Sequence, residues 1–326
     1  MSEKVLRPIL HRTAYNRALE RELIDWLREA VFTPLLLVLK EYEIPTREND
    51  AGSALIAALK AGTVIYTDGQ FAGQFNAAIS RELRELGAEF DSRSKTFRLA
   101  HDHLPYYLRG AIAEALSVST EIHTALLSTL AAIGEHLPKA EPALPVTLLA
   151  GIFADLEKQF HGSVEIVEGL GLPVEFTASD RERMTEELTE NLELGIKGFV
   201  ADRLPTLRHM VEENLARGGR TDLLAKKLQA EFGFAQRKAE FLADHETGLL
   251  VSKYRQHRYE SLGVQEYIWS TSNDERVRPD HKALNGRRFS FMNPPIVDRA
   301  TGRRGNPGED YRCRCVAQPI LNLVSA

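Results

Sequence analysis

A break at Gly263 constrains this chain more than any other feature. From Ala235 to about Ser261 the residues read as one long helix, stopped by Gly263. From Gln265 the texture changes. EYIWST brings aromatic and β-branched residues together and predicts a strand. PDHKAL predicts one short helical turn with Pro279 at its start, and Asn285-Gly286 predicts a tight turn. RRFSF is a second strand, a Pro/Gly/Arg loop runs from Asn293 to Gly308, and CVAQPIL is a final strand. Residues 265–322 therefore predict a small β-rich unit behind a helical body.

Upstream, residues 14–43 carry Leu19, Leu23, Trp26, Leu27 and Ala30 at helical spacing, with Pro34 placed to kink or divide the helix. Residues 54–100 predict a small α+β module. Its parts are a short helix ending at Gly62, strands about an Asp68-Gly69 turn, a helix stopped by Gly87, and a hairpin in AEFDSRSKTFRL. His101-Asp102-His103 is short enough to be a solvated turn. Residues 107–135 are Ala-rich and helical, and Pro138, Pro142 and Pro145 end that helix. Ser179 to Glu182 fits a capping box opening a helix through Leu194. Gly218-Gly219 closes another helix, and a short one runs from Thr221 to near Gly233. The fold class read from this pattern is α+β, a predominantly helical body with a small β-rich C-terminal domain.

Composition sets the class of molecule. The chain has 326 residues, 43% hydrophobic and 27% charged, and a formal charge of -5, which argues against a surface that coats nucleic acid throughout. The first residues, MSEKVLRPILHRTAYNR, are charged and unlike a signal peptide. The longest apolar run, Phe32 to Leu39, is too short for a bilayer. No membrane and no small-molecule substrate are expected. Two cysteines do not make a disulfide scaffold, so a reducing compartment is expected.

Both cysteines fall in one stretch, DYRCRC, Asp310 to Cys315. Around it, Asp274 to Arg314 holds ten Lys/Arg and six Asp/Glu, a local charge of +4. Arg276, Arg278, Arg287, Arg288, Arg303, Arg304, Arg312 and Arg314 could contact DNA or an acidic protein surface. Equally, they could pair with Asp274, Glu275, Asp298, Glu309 and Asp310. The cysteines allow three readings. A bridge between Cys313 and Cys315 would be strained, because an extended strand sets Cα atoms two apart at about 6.6 Å. Zinc, held by His281, Cys313, Cys315 and a carboxylate such as Asp274, suits a small domain with little core. Two buried thiols acting as small apolar residues is the third. The Cys-x-Cys spacing is not the usual Cys-x2-Cys of zinc sites. No local hydrolase motif or Gly-rich phosphate loop is present, so the chain reads as a non-enzyme. The alternative is a metal-dependent nuclease or other hydrolase centred on His281, Cys313 and Cys315.

The series WSTSNDERVRPDHKALNGRRF, the Pro/Gly loop, and NPGEDYRCRC with its apolar tail together resemble the phage Mu F-like head morphogenesis proteins. The helix AEFLADHETGLLVSKYRQHRYESLG resembles the family's segment before its tryptophan strand, with Ala243-Asp244-His245-Glu246-Thr247 where the family commonly reads A-R-T-E. GTVIYTDGQFAGQFNAAISRELRELGAEFD is similar to the amino-terminal region of some long members. The motif positions here are Trp269, Asp274, Arg276, His281, Gly286, Phe289, Pro307, Gly308, Cys313 and Cys315. The residue pattern divides the chain into a helical segment at 1–50, an α+β module at 51–105 and a helical body at 106–204, and the resemblance marks 205–326 as a Mu F-like domain. The resemblance implies a minor capsid component of a tailed phage or prophage, found in the virion and, during assembly, in the bacterial host cytoplasm. The implied partners are the portal protein and capsid or scaffold proteins, with packaged DNA as a further contact.

Overall fold

The terminal β-rich unit recruits a strand from the other end of the sequence. In the computed structural model, which describes residues 2–11, 13–41, 53–140, 146–164, 175–217 and 220–323, β1 (Ser2–Val5) pairs antiparallel with β10 (Val316–Leu323). β10 pairs on its other edge with β6 (Glu266–Ser270), and β6 with β7 (Arg288–Ser290), giving one antiparallel sheet in the order β1-β10-β6-β7. The charged N-terminal residues carry no strand signal of their own. Their pairing with β10 supplies it, and Leu6 N–H continues the ladder to the Pro319 carbonyl at 3.1 Å.

The chain divides into two compact units, each discontinuous in sequence. The first comprises 1–25, 141–196 and 236–326; the second comprises 26–140 and 197–235.

In the first unit, β6 alternates in burial, so Tyr267 and Trp269 both point inward and are fully buried. Helix α8 (Thr221–Ser261) supplies Tyr254, Arg255, Arg258 and Tyr259 from its C-terminal half, all buried. The buried cation at Arg255 donates from Nε to the Ile9 carbonyl at 2.6 Å, and Tyr259 Oη accepts from Ile9 N–H at 3.1 Å. These two bonds seat the segment after β1 on α8. Arg258 pairs with Glu157 at 3.1 Å and lies over the Phe160 ring at 3.9 Å. Glu157 and Phe160 belong to α6 (Val146–Val164). Burying a guanidinium is tolerable only with such partners.

In the second unit, β2 (Val64–Thr67), β3 (Gln70–Gly73), β4 (Glu89–Asp91) and β5 (Thr96–Arg98) form a sheet ordered β2-β3-β5-β4. Asp68 and Gly69 both take positive φ, 49° and 76°, as a two-residue primed hairpin turn requires. Helices α3 (Ala54–Lys60) and α4 (Ala77–Glu85) cover this sheet, and Leu55, Leu59, Val64, Phe71, Ile79, Leu83, Phe97 and Leu108 share one core. Ser53 caps α3, while Glu82 accepts from the Ala54 and Leu55 amides at 2.8 and 3.1 Å. The module expected at 54–100 has these elements. His101–His103 is an exposed single 3₁₀ turn. Helix α5 (Tyr106–His136) places buried His123 against Asn214 at 2.8 Å. Extended to Lys139, it is the one helix among the described residues long and apolar enough to cross a bilayer, a test that core helices also pass.

Several boundaries differ from the sequence expectation. The predicted helix at 14–43 is α1 (Thr13–Leu27), a π-helical turn at Arg28–Phe32, and α2 (Thr33–Glu41); residues 42 and 43 lie outside the described residues. The wide turn immediately precedes Pro34, which sits in the first turn of α2, where its missing N–H costs least. Of the three prolines expected to end the next helix, Pro138 lies in a 3₁₀ turn at Leu137–Lys139, and Pro142 and Pro145 are outside the described residues. The capping box is Thr177 with Asp180, not Ser179 with Glu182: Asp180 N–H bonds Thr177 Oγ1 and Thr177 N–H bonds Asp180 Oδ2, both at 3.1 Å. Helix α7 (Ala178–Ala216) runs on past Leu194 and through Pro205, and α8 runs through Gly233 without a stop. Long helices override single weak formers when their faces are buried. The expected stop at Gly218-Gly219 lies outside the described residues. The loop at 293–308 contains a two-stranded ribbon, β8 (Ile296–Asp298) with β9 (Arg303–Arg304).

Candidate metal centre

Pro279 opens α9 (Pro279–Leu284), a single short helix between β6 and β7. Its Lys282 N–H bonds the Arg278 carbonyl at 2.9 Å, and its His281 and Leu284 turn inward. The end of α9 is tied to β6 by Asn285, whose Oδ1 accepts from Thr271 N–H at 2.9 Å. Gly286 N–H bonds the Trp269 carbonyl at 2.8 Å, and Trp269 N–H bonds the Arg287 carbonyl at 2.9 Å. Trp269 thus has both its backbone groups clamped, and its indole meets the His281 ring edge-to-face at 5.5 Å. Phe289 lies against both Tyr267 and Trp269.

The other side of the site comes from the loop before β10. Ser252 on α8 donates to the Pro307 carbonyl at 2.9 Å, and Gly308 (φ 102°) passes so close that a Cβ there would stand 3.1 Å from Ser252 Cβ. Asn306 accepts from Tyr267 Oη at 3.0 Å and anchors the same loop to β6. Cys313 N–H then closes a turn onto the Asp310 carbonyl at 3.0 Å, with Arg312 in the left-handed region at φ 49°. The cysteines lie just ahead of β10, which begins at Val316, so they are held by this turn and not by a strand ladder.

The turn puts a carboxylate and two sulfurs around one imidazole. His281 Nε2 stands 3.0 Å from Asp310 Oδ2, and His281 Nδ1 stands 3.5 Å from both Cys313 Sγ and Cys315 Sγ. His281, Asp310 and Cys315 are buried and Cys313 half-buried. Nε2 donates to the carboxylate, which leaves Nδ1 facing the sulfurs.

Charge in the cluster is correspondingly skewed. Burial pulls the His281 pKa down, but hydrogen bonds to Asp310 and Cys313 outweigh it and push it up to about 9. The Cys315 hydrogen bond and the His281 charge hold the Cys313 thiol well below its ordinary value. That same bond to Cys313, with burial, pushes Cys315 up, while the Trp269 indole N–H favours its thiolate. Burial would raise Asp310, yet His281, the Tyr311 amide, Arg278 and Arg303 hold it below the usual carboxylate range.

The residues singled out in sequence divide cleanly. His281, Cys313 and Cys315 come together, and they are a group of three ligand atoms within 4.8 Å of one another. Asp274 does not join them. It is bonded at both oxygens by Arg314, at 2.6 and 2.8 Å. Asp310, absent from the set read in sequence, takes the carboxylate place, bonded to His281 instead of to the sulfurs. Its signal was local: an Asp three residues before a Cys, across a tight turn.

The arginines are largely engaged inside the first unit. Arg278 and Arg303 bond Asp310, Arg288 bonds Glu266, and Arg314 bonds Asp274. Arg312 bonds Asp244 and Glu240 on α8, and Arg304 bonds the Pro294 carbonyl at 2.8 Å and Asn293 at 3.3 Å. Arg287 lies over the Phe289 ring, and Arg276 lines a cleft of about 220 Å³ that also reaches His281 and both cysteines. The segment Asp244–Thr247 has a structural part as well. Asp244 accepts from Asn16 as well as Arg312, and Thr247 donates to Asn16 Oδ1 at 2.6 Å.

Residues 205–318, which include β6, β7, this cluster and β10 up to Gln318, match the family described as Phage Mu protein F like protein. The match supports assigning that segment to the phage Mu F-like family. A Haemophilus influenzae protein described as uncharacterized is 32% identical over 132 residues, which is 40% of this chain. The similarity spans 28% of the length of that relative. No solved structure matches the chain.

Proposed function

We propose that this protein is a minor head component of a tailed phage or prophage, acting in head assembly near the portal. One observation carries the reading. Within the segment that matches the family, the motif residues Trp269, His281 and Cys315 are turned inward and packed on one another. Trp269, His281, Asn306 and Asp310 are buried, and Gly286, Pro307 and Gly308 fix the loops around them. Such a motif preserves a shape for other proteins to bind. This supports an assembly role over turnover, and it favours partners among head proteins. Six of the eight basic side chains read as DNA contacts are bonded to carboxylates, an amide or a carbonyl of the same unit, which supports a protein-facing surface over a DNA-facing one.

Co-expression with the portal protein of the same phage or prophage, followed by affinity capture, tests the reading. The expected result is co-purification with portal, and recovery of the protein in purified heads in few copies. Heads assembled normally without it and a portal that never retains it would overturn the assignment.

A further inference from the structure

The geometry points to a zinc-type metal site made by His281 Nδ1, Cys313 Sγ and Cys315 Sγ, with its fourth position open to the arginine-lined cleft. This inference stands apart from the assembly role and rests on the cluster alone.

The first argument is distance. With zinc–sulfur bonds of about 2.3 Å and zinc–nitrogen bonds of about 2.0–2.1 Å, a tetrahedral angle separates nitrogen from sulfur by about 3.5–3.6 Å. Both sulfurs stand 3.5 Å from Nδ1. Hydrogen bonding does not ask for this arrangement. Nδ1 makes one hydrogen bond, either donated or accepted, yet two sulfurs approach it equally.

A second, independent argument is the outer contact. A metal-bound histidine usually gives its other ring N–H to a carboxylate, which fixes the tautomer and aims the ligand nitrogen. Asp310 does this at 3.0 Å from Nε2, and is itself held by Arg278, Arg303 and the Tyr311 amide at 2.8 Å. The Trp269 indole N–H is buried without a hydrogen-bond partner among the described residues, and its influence favours the Cys315 thiolate. Thiolate ligands are commonly tuned in this way by nearby donors.

The third concerns coordination number. The cluster contributes three ligand atoms among the described residues, and Asp274 is committed to Arg314. A site closed by three protein ligands keeps one position for water or another small ligand. Two thiolates neutralise a divalent ion, so the charge at that position is set by the surroundings. These are Arg276 together with Arg278, Arg312 and Arg314, the last three each also bonded to a carboxylate, and all four share the cleft with His281 and the cysteines. An anionic oxygen is the ligand chemistry such a wall favours.

The full-length chain, purified without chelator, should carry roughly one zinc per molecule by elemental analysis. Cys313→Ser and Cys315→Ser should each lose it, and Asp274→Asn should keep it. Asp310→Asn should weaken zinc binding by about 10–100-fold. Folding failure of a variant does not obscure the result, because the wild-type chain gives two further readouts. Both thiols should resist labelling until a chelator is added. Cobalt(II) added to the stripped protein should give thiolate-to-cobalt charge-transfer absorption with visible bands of a four-coordinate site, and inorganic phosphate should shift those bands. Absence of both zinc and the cobalt–thiolate absorption would overturn the site. So would an intact mass lower by two hydrogens, which marks a disulfide. Cobalt bands indifferent to phosphate would overturn the open position.

Discussion

His281 donates from Nε2 to Asp310 Oδ2 across 3.0 Å, and both side chains are only 2% exposed. Asp310 also receives Arg278, Arg303 and the Tyr311 amide. One carboxylate therefore organises a histidine, two arginines and a turn.

Removing it should be expensive. Asp310→Ala leaves His281 and the inner ends of two guanidiniums without their counter-charge, and breaking a buried pair in this way costs about 3–5 kcal/mol. Chemical denaturation of the full chain, followed through the fluorescence of Trp26 and Trp269, should show the loss. A change below about 1 kcal/mol would mean that water replaces the carboxylate without penalty.

Gly308 sits at φ 102°, where its missing Cβ would press on Ser252. Gly308→Ala should cost about 1–3 kcal/mol from backbone strain, with a further loss as Ser252 gives up the Pro307 carbonyl. Ser252→Gly in the same chain relieves the contact but not the φ strain. The double variant also lacks the Pro307 hydrogen bond and gains a helix-interior glycine costing about 0.5–1 kcal/mol, so it should not recover the loss in a denaturant titration.

Glu246 is buried on α8 among Glu187, Lys253, His245 and Asn191. Burial, and the Glu187 charge, raise its pKa against the opposing Asn191 hydrogen bond and Lys253 charge. The folded chain then holds this proton more tightly than the unfolded one. Its contribution to stability is full below the ordinary value of 4.5 and is lost as pH rises through the folded value. Glu246→Gln should flatten that part of the stability–pH profile and stabilise the protein at neutral pH by about 1 kcal/mol, the order of the cost of an unpaired buried polar group. An unchanged profile would place the titration elsewhere.

Binding to duplex DNA should be weak and should involve few phosphates. Each phosphate neutralised adds about -0.9 to the slope of log K against log salt. With six of the eight arginines bonded within the unit, a slope shallower than about -2 is expected from fluorescence anisotropy across a salt series. A steep slope would show that the ion pairs open to receive DNA.

The local grammar of this protein is legible in its residues alone. The break at Gly263, the Pro279 turn, the Asp68-Gly69 hairpin and the alternation of EYIWS depend on residues near one another, and each appears at its expected place. The nearness of His281 to Cys313 and Cys315 was readable only as a possibility, because 32 and 34 residues separate them. Long-range packing settled the rest. It gave the N-terminal residues their strand by pairing them with β10, and carried α8 through Gly233. It also chose between two carboxylates of the same chemical type. Asp274 went to Arg314 and Asp310 to His281, a choice made by the left-handed turn at Arg312 and by burial, neither of which is written in residue spacing.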